Sequence, residues 1–222
     1  MDRPRVVVHN TVSLDGRLTG FPADLGLHYQ IAAGIPHDAV LTGSATLLAA
    51  ARAEGVDLAG EDPAEPVPAA PAGGPRPWLV VVDSRARLTR LAWLRAQPYW
   101  RDLVVLCSHT TPAEHLDRLR HHRVEHVVAG DNRVDLPVAL RALARRYQVT
   151  AVRVDAGGTL NGHLLAAGLV DEIDLIVAPY LAGPGGVSFI DDVAGAGPRL
   201  TLIDVGRLPD SHLRLRYAVS PA

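Results

Sequence analysis

Short apolar runs alternate with segments of helical periodicity along most of the chain. Seven runs rich in valine, isoleucine and leucine have the length and continuity of strands that are buried on both faces of a parallel sheet. They span Val6–Val8, Ala39–Leu41, Leu79–Val82, Leu103–Leu106, Val124–Val128, Ala151–Val154 and Ile173–Ala178. Between them the pattern predicts helices at Asp24–Ala33, Ser44–Ala53, Pro112–His121, Leu136–Tyr147 and Thr159–Gly168.

The segment 136–147 carries the clearest helical signal, because its large apolar side chains share one face at helical spacing. Asp135 stands before it as a candidate N-cap, and Ser44 is predicted to cap the second helix in the same way. Strands that alternate with helices predict right-handed crossovers and one wound α/β sheet.

The remaining segments have a different character. Leu200–Leu208 and His212–Val219 are separated by Pro-Asp-Ser, a turn signal, and predict an antiparallel hairpin at the end of the sheet. The segment at about 53–77 is rich in proline, alanine and glycine and lacks hydrophobic periodicity, which predicts a flexible insertion. We therefore expect a single domain over residues 1–222, interrupted by this insertion.

Composition narrows the possible functions. The chain has 222 residues, 48% hydrophobic and 21% charged, and a formal net charge of −2, which gives no basic footprint for nucleic acid or for a membrane surface. Its basic residues are all arginine and Cys107 is its one cysteine, which excludes lysine Schiff bases, a P-loop and cysteine-built metal sites. With no signal-peptide pattern and no apolar run that could cross a bilayer, we expect a cytoplasmic protein.

Candidate chemistry lies where the predicted strands end, because ligands of wound sheets bind beyond the carboxyl ends of the strands. The most informative junction runs from Asp155 through Gly157 and Gly158 to Thr159, where a buried strand meets a helix. Glycines there let a phosphate approach free N–H groups, so a side chain at Gly158 is expected to block an anion without disturbing the fold. A tight strand-to-helix turn is an equally good interpretation of the pair.

An arginine-rich segment follows the strand that ends at Asp83. Ser84 and Arg85 come directly after it, and a guanidinium suits bidentate contact with the 2′-phosphate of a dinucleotide. Ordinary surface arginines are the alternative, because the G-x-G-x-x-G fingerprint with its downstream acid is missing from the sequence.

Polar residues near other strand ends are candidates for the substrate side. Asn10 and Asp15 follow the first strand and His28 lies in the first helix, although Asp15 could instead cap local N–H groups and His28 could be structural. Asp155, the Thr42 hydroxyl or water could relay a proton, and the residues alone do not choose among them. The histidines form no metal-ligand motif, so no metal site is predicted.

Four motifs, in this order, resemble those of the reductase domain of the riboflavin-pathway deaminase–reductases. They are SLDGR at 13–17, DAVLTGSAT at 38–46, VVVDS at 80–84 and DAGGTLNGHLLAAGLVDEIDLIVAP at 155–179. The resemblance implies a three-layer, dihydrofolate-reductase-like α/β fold with a mostly parallel central sheet and an antiparallel C-terminal hairpin. It also implies an NADPH-dependent reductase that works by hydride transfer and forms a homodimer.

The resemblance assigns cofactor and substrate contacts by position. It implies cofactor contacts from Val12 and Ser13 in the first loop, Gly43 and Thr46 around the start of the second helix, Ser84 near the adenosine, and Gly157, Gly158, Thr159 and Leu160 at the diphosphate. Asp155 occupies a position where the family usually has glutamate, and the resemblance implies that this carboxylate lies near the substrate. Two positions depart from the family pattern: Ala50 replaces an aspartate that contacts the cofactor, and Gly34 replaces an arginine that holds the substrate's phosphate.

The predicted activity is hydride transfer to a pyrimidine- or pterin-like small molecule, as in the phosphoribosylamino-uracil and diaminopyrimidinone phosphate reductases of riboflavin biosynthesis. Two alternatives remain open: a dihydrofolate-reductase-like enzyme with a different substrate, and an NADPH-binding protein without catalysis. A fused zinc deaminase is excluded because its cysteine motif cannot be built from one cysteine.

Overall fold

A computed structural model describes residues 2–60, 76–191 and 197–220. The chain divides into two compact units, one formed by Met1–Pro4 and Asp38–Thr150 and the other by Arg5–His37 and Ala151–Ala222. Most of the predicted insertion, residues 61–75, lies outside the described residues. The expectation of a single domain over 1–222 stays a prediction.

The helices and strands follow one another in the predicted alternation. In chain order they are β1 (Arg5–Ser13), α1 (Leu25–Ala33), β2 (Ala39–Gly43), α2 (Ser44–Ala53), β3 (Trp78–Val82), α3 (Leu91–Arg95), β4 (Leu103–Cys107), α4 (Ala113–His121), β5 (Glu125–Val128), α5 (Leu136–Tyr147), β6 (Ala151–Val154), α6 (Gly158–Ala166), β7 (Glu172–Ala178), β8 (Leu200–Arg207) and β9 (Leu213–Val219). The short helix α3 was not predicted from the sequence.

The first unit holds a parallel sheet in the order β5-β4-β3-β2. Leucine and valine side chains of β3 and β4 pack with α2, α3 and α4 into its core, where burial raises the pKa of the Cys107 thiol to about 12. Asp135 caps α5 as predicted, by accepting a hydrogen bond from the N–H of Val138. The described start of the expected insertion is packed rather than flexible, since Leu58 is 1% exposed and belongs to this core.

The second unit holds five strands in the order β6-β1-β7-β9-β8. Strands β6, β1 and β7 are parallel, whereas β9 runs antiparallel to β7 and β8 antiparallel to β9. Asp210 and Ser211 both have positive φ in the β8–β9 turn, which is the geometry of a tight type I′ hairpin. The predicted parallel sheet with an antiparallel C-terminal hairpin is therefore confirmed.

Two local predictions were wrong. Val12 and Ser13 lie inside β1 and are 3% and 1% exposed, rather than in a loop, because the β1–β7 ladder continues to the pair Ser13–Ala178. Ser44 is the first residue of α2 and not its cap; the N-cap is Gly43, which has no side chain to offer.

The two faces of the sheet in the second unit differ in chemistry. Residues paired in register point to the same face, so one face, which we call the α6 face, carries mostly valine, isoleucine and leucine. The opposite face, the α1 face, carries His9, Thr11, Arg5, Arg153, Asp155, Glu172, Asp174, Arg214 and Arg216. Side-chain hydrogen bonds fasten each helix to its face, from His28 of α1 to Thr11 and from Asn161 of α6 to Asn10.

Candidate active site

A carboxylate–histidine pair lies at the end of β6 on the α1 face. His28 Nε2 is 3.2 Å from Asp155 Oδ2, and its Nδ1 is 3.1 Å from the Thr11 hydroxyl. The His28 side chain is buried, whereas that of Asp155 is 28% exposed. A ligand can therefore reach the pair from the side of Asp155, while Thr11 fixes the far side of the imidazole ring.

Local sequence explains the position of each partner. Asp24 caps α1 by accepting a hydrogen bond from the N–H of Leu27 at 2.9 Å, which fixes the start of the helix and places His28 one turn later. Asp155 is the first residue after β6 and keeps the alternation of that strand, so it shares a face with Arg153.

Asp155 is held in its ionised form. Burial opposes the charge, but the hydrogen bond and charge of His28, with the charges of Arg153 and His9, bring the pKa of Asp155 below its ordinary value. The pair therefore presents an ionised carboxylate next to an imidazole ring, a side chain that can accept and donate a proton.

A second set of titratable groups lies behind this pair. The His9 ring is fully buried, stands 4.6 Å from the His28 ring, and has its Nδ1 3.5 Å from Asp174 Oδ1. Asp174 also pairs with Arg214 and Arg216 of β9. Burial opposes its ionisation, but His9 and Arg214 hold the pKa of Asp174 below its ordinary value.

A small polar cavity of about 150 Å³ opens on the same face. It is lined by Arg5, Gly34, Ile35, Pro36, Glu172, Asp174, Arg214 and Arg216. Gly34, which caps the C-terminus of α1, contributes no cation to it. Each of the three arginines makes an ion pair with Glu172 or Asp174, so most of the positive charge is already balanced.

The N-terminus of α6 has free N–H groups of the kind that bind the diphosphate of a dinucleotide. No side chain caps the helix, and the N–H groups of Gly158, Thr159 and Leu160 make no hydrogen bond to any described residue. Such N–H groups and the helix dipole attract an anion. The group that opposes the fit is the carboxylate of Asp191, which accepts a hydrogen bond from the Thr159 hydroxyl at 3.2 Å.

The expectation that a side chain at Gly158 would leave the fold undisturbed was wrong. A Cβ there would lie 2.4 Å from the Ser188 carbonyl, and one at Gly162 would lie 1.9 Å from the Asp191 carbonyl. The segment 188–191 therefore packs directly on the first two turns of α6. The protein itself requires Gly158 to be small, whatever the helix end binds.

The first unit holds the candidate proton relay Thr42 and the remaining predicted cofactor residues. Thr42 is buried in β2, Gly43 and Thr46 flank the start of α2, and Ser84 is half-buried after β3. Arg85 is exposed, and its guanidinium makes no hydrogen bond or ion pair within the described residues. That leaves its donors available to an anion.

Three predicted site residues are occupied by contacts within the protein. Ser13 donates a hydrogen bond to Asp15, which also accepts from the N–H groups of Ala182 and Gly183, and these bonds hold the pKa of Asp15 at about 2. Asp15 thus fastens a distant loop rather than capping local N–H groups. Asn10 lies on the α6 face, where its amide donates to the Ala156 carbonyl and accepts from Asn161.

Four residues that support the carboxylate–histidine pair were not predicted from the sequence, namely Thr11, His9, Arg153 and Asp174. One signal was present: polar residues alternate with apolar ones in β7 and again in β9, which is the pattern of a two-faced sheet. Among the described residues, no group of three or more His, Cys, Asp and Glu could hold a metal ion. No helix in that part of the chain is long and apolar enough to cross a membrane.

Asp155 of the partly exposed carboxylate–histidine pair stands three residues before the uncapped start of α6. The fold and this pair define the class: an α/β protein with a candidate active site at the carboxyl end of a strand. The chain belongs to the RibD C-terminal domain family, whose family model matches residues 4–211. It is 32% identical over 196 residues to the 2,5-diamino-6-ribosylamino-4(3H)-pyrimidinone 5′-phosphate reductase of Methanothermobacter thermautotrophicus, which covers 82% of this chain and 80% of that protein. The reductase of the same name from Archaeoglobus fulgidus is 30% identical over 198 residues, covering 82% and 83%.

Solved structures confirm the fold. A pyrimidine reductase-like protein from Corynebacterium diphtheriae aligns with a TM-score of 0.73 at 20% identity, over 99% of this chain and 93% of that one. Dihydrofolate reductase from Enterococcus faecalis aligns with a TM-score of 0.50 at 10% identity, over 97% and 96%. The predicted family and its dihydrofolate-reductase-like fold are therefore both correct.

Proposed function

We propose that this chain is an NADPH-dependent reductase that acts on 2,5-diamino-6-ribosylamino-4(3H)-pyrimidinone 5′-phosphate or a close pyrimidine analogue. The observation that carries the proposal is the Asp155–His28 pair on the α1 face, open to solvent through Asp155. The family and its named reductases supply the reaction class.

Bound NADPH would supply the hydride, since no side chain can. The N–H groups of Gly158, Thr159 and Leu160 would hold its diphosphate. The contacts predicted in the first unit, of Ser84 with the adenosine and of Arg85 with the 2′-phosphate, stay predictions from the sequence.

The chain's own chemical task in this proposal is to orient the substrate and to deliver a proton. Asp155 accepts a polar hydrogen of the substrate and keeps His28 in place through their 3.2 Å contact. His28, held at Nδ1 by Thr11, holds the proton that the reduced product requires. Of the three proton relays that the sequence left open (Asp155, the Thr42 hydroxyl and water), this proposal keeps Asp155. It adds His28, which was predicted only as a substrate contact.

The test is a turnover assay of the full chain. Oxidation of NADPH, followed by absorbance, is expected with the diaminopyrimidine ribosyl phosphate and not with dihydrofolate, and NADH is expected to bind more weakly than NADPH. Turnover of dihydrofolate alone would favour the dihydrofolate-reductase-like alternative. Binding of NADPH without turnover of any pyrimidine or pterin would favour the non-catalytic alternative.

We further propose that two copies of the chain associate through the β8–β9 hairpin. Strand β8 is an edge of the second unit's sheet, and its Leu202, Ile203 and Val205 are exposed. Exposed apolar edge strands are commonly covered by a partner. Light scattering should give the mass of a dimer, and Val205→Glu should shift it toward the monomer. As a separate point, we propose that the protein is cytoplasmic.

A further inference from the structure

On the α1 face, Arg153 of β6 is a buried cation with unsatisfied donors. It is 7% exposed, and its Nε and Nη1 have no hydrogen-bond partner among the described residues. By contrast, Arg5, Arg214 and Arg216 on the same face all make ion pairs with Glu172 or Asp174. Buried guanidinium groups in folded proteins nearly always have acceptors, so this one is prepared for an acceptor that arrives with a ligand.

The surroundings of Arg153 oppose its charge only in part. Burial lowers the pKa of Arg153, whereas Asp155 and Tyr29 act in the opposite direction. Arg153 and Asp155 are two residues apart on the same face, which separates their Cα atoms by about 7 Å. Asp155 is the partly exposed member. A ligand that reaches Asp155 with one end can therefore present a second group to Arg153.

We propose that Arg153 binds the phosphate monoester of the substrate while Asp155 contacts its ring. A phosphate offers several acceptor oxygens, and guanidinium is the side chain best matched to it. This inference rests on the proposed function for the identity of the ring, but the phosphate contact itself can be measured without turnover. The arginines around the nearby cavity are poorer candidates because carboxylates already neutralise them.

Binding measurements with and without the phosphate test the contact. Calorimetry on the full chain would compare ribose 5-phosphate with ribose, and the phosphorylated pyrimidine substrate with its dephosphorylated form. Arg153→Met removes the charge and keeps the apolar stem, and should weaken both phosphorylated ligands by about 10- to 100-fold. It should change the dephosphorylated ligands less than twofold. Arg216→Met, an ion-paired arginine of the same face, is the matched control and should not discriminate by phosphate.

Stability provides a second readout. Arg153→Met removes a buried guanidinium whose Nε and Nη1 have no hydrogen-bond partner within the described part of the chain. The free variant should therefore melt at the same temperature as the wild type or higher, and should lose the rise in melting temperature that ribose 5-phosphate gives the wild type. Arg153→Lys should bind phosphate with intermediate affinity.

Equal losses for phosphorylated and dephosphorylated ligands, or no loss, would overturn the proposal, as would a wild type that does not bind ribose 5-phosphate. If ribose 5-phosphate binding depends on Arg153 but no pyrimidine is reduced, the inference stands and the proposed function fails.

Discussion

The two faces of the sheet in the second unit are built from the same strands but carry different side chains: the α6 face is mostly apolar and the α1 face is charged. On the α6 face, Val6, Val8 and Ile173 are buried and apolar, and Asn161 of α6 is hydrogen-bonded to Asn10 of the same face. On the α1 face, the neighbouring positions of the same strands are His9 and Asp174, which are just as buried. At these neighbouring positions burial is therefore equal, while the chemistry differs.

The two faces therefore contribute differently to stability and to chemistry. Burial of an apolar face stabilises the folded state in proportion to the area removed from water. A charged face gains little net stability, because desolvation offsets most of the attraction between its ion pairs. The charged face instead places fixed charges around Asp155, where they can act on a bound ligand; an apolar surface could not do this.

The largest expected effect comes from removing the central carboxylate of the α1 face. Asp174→Leu leaves Arg214 and Arg216 without the group they share, and should lower the free energy of unfolding by about 3 to 4 kcal/mol. Adding Arg214→Leu should restore at least about 1 kcal/mol, because the double variant no longer buries an unpaired charge. Urea denaturation measures both, and a neutral single variant would show that the face does not depend on this carboxylate.

Substitutions at two adjacent residues of β7, one on each face, should differ in how their effect on stability depends on pH. Ile173→Ala should cost about 3 kcal/mol at any pH, since it removes only apolar contacts. Asp174→Asn should cost about 2 kcal/mol at pH 7. The folded pKa of Asp174 is depressed, so its contribution is complete above the unfolded pKa of about 3.9 and is lost as the pH falls below it.

The groups that face Asp174 are His9 from β1, Arg214 and Arg216 from β9, and Glu172 from its own strand. Urea titrations at pH 7, 5 and 3.5 would follow the difference between wild type and each variant. A gap between wild type and Asp174→Asn that stays constant down to pH 3.5 would contradict the depressed pKa.

The sequence predicts the fold better than it predicts the charged face. Continuous apolar runs and capped helices specify the strands and helices locally, so even the bounds of α5 follow from Asp135 and Tyr147. The α1 face is different, because its polar residues come from four strands, and within β1 and β6 residues such as His9 and Arg153 stand among apolar ones. They become a row only when the register between strands is known.

The candidate site shows the same division. Asp155 can be found from its position after a strand, and His28 from its position in the first helix. Their 3.2 Å contact depends on how α1 lies against the sheet, which no local pattern encodes. The same holds for Gly158, whose small size follows from the approach of Ser188, thirty residues later in the chain.

Changing the exposed end of the pair should affect catalysis rather than the fold. Asp155→Asn removes the charge that holds His28 and that we propose contacts the substrate, so kcat with the pyrimidine substrate should fall about 100-fold. The dissociation constant of NADPH should change less than twofold, because the proposed diphosphate contacts are on α6. Asp155→Glu keeps the charge and should retain more activity. An unchanged kcat in Asp155→Asn would exclude the pair from the reaction.

The smallest expected effect is on cofactor affinity, at the helix of the apolar face. Asp191 places a carboxylate beside Thr159 at the uncapped end of α6, where it repels an incoming diphosphate. Asp191→Asn keeps the hydrogen bond from Thr159 and removes the charge, so NADPH should bind about fivefold more tightly, about 1 kcal/mol. Fluorescence titration would measure the change, with Asp204→Asn on the exposed strand β8 as a control that leaves affinity unchanged. Weaker binding by Asp191→Asn would mean that the carboxylate organises the helix end instead of opposing the cofactor.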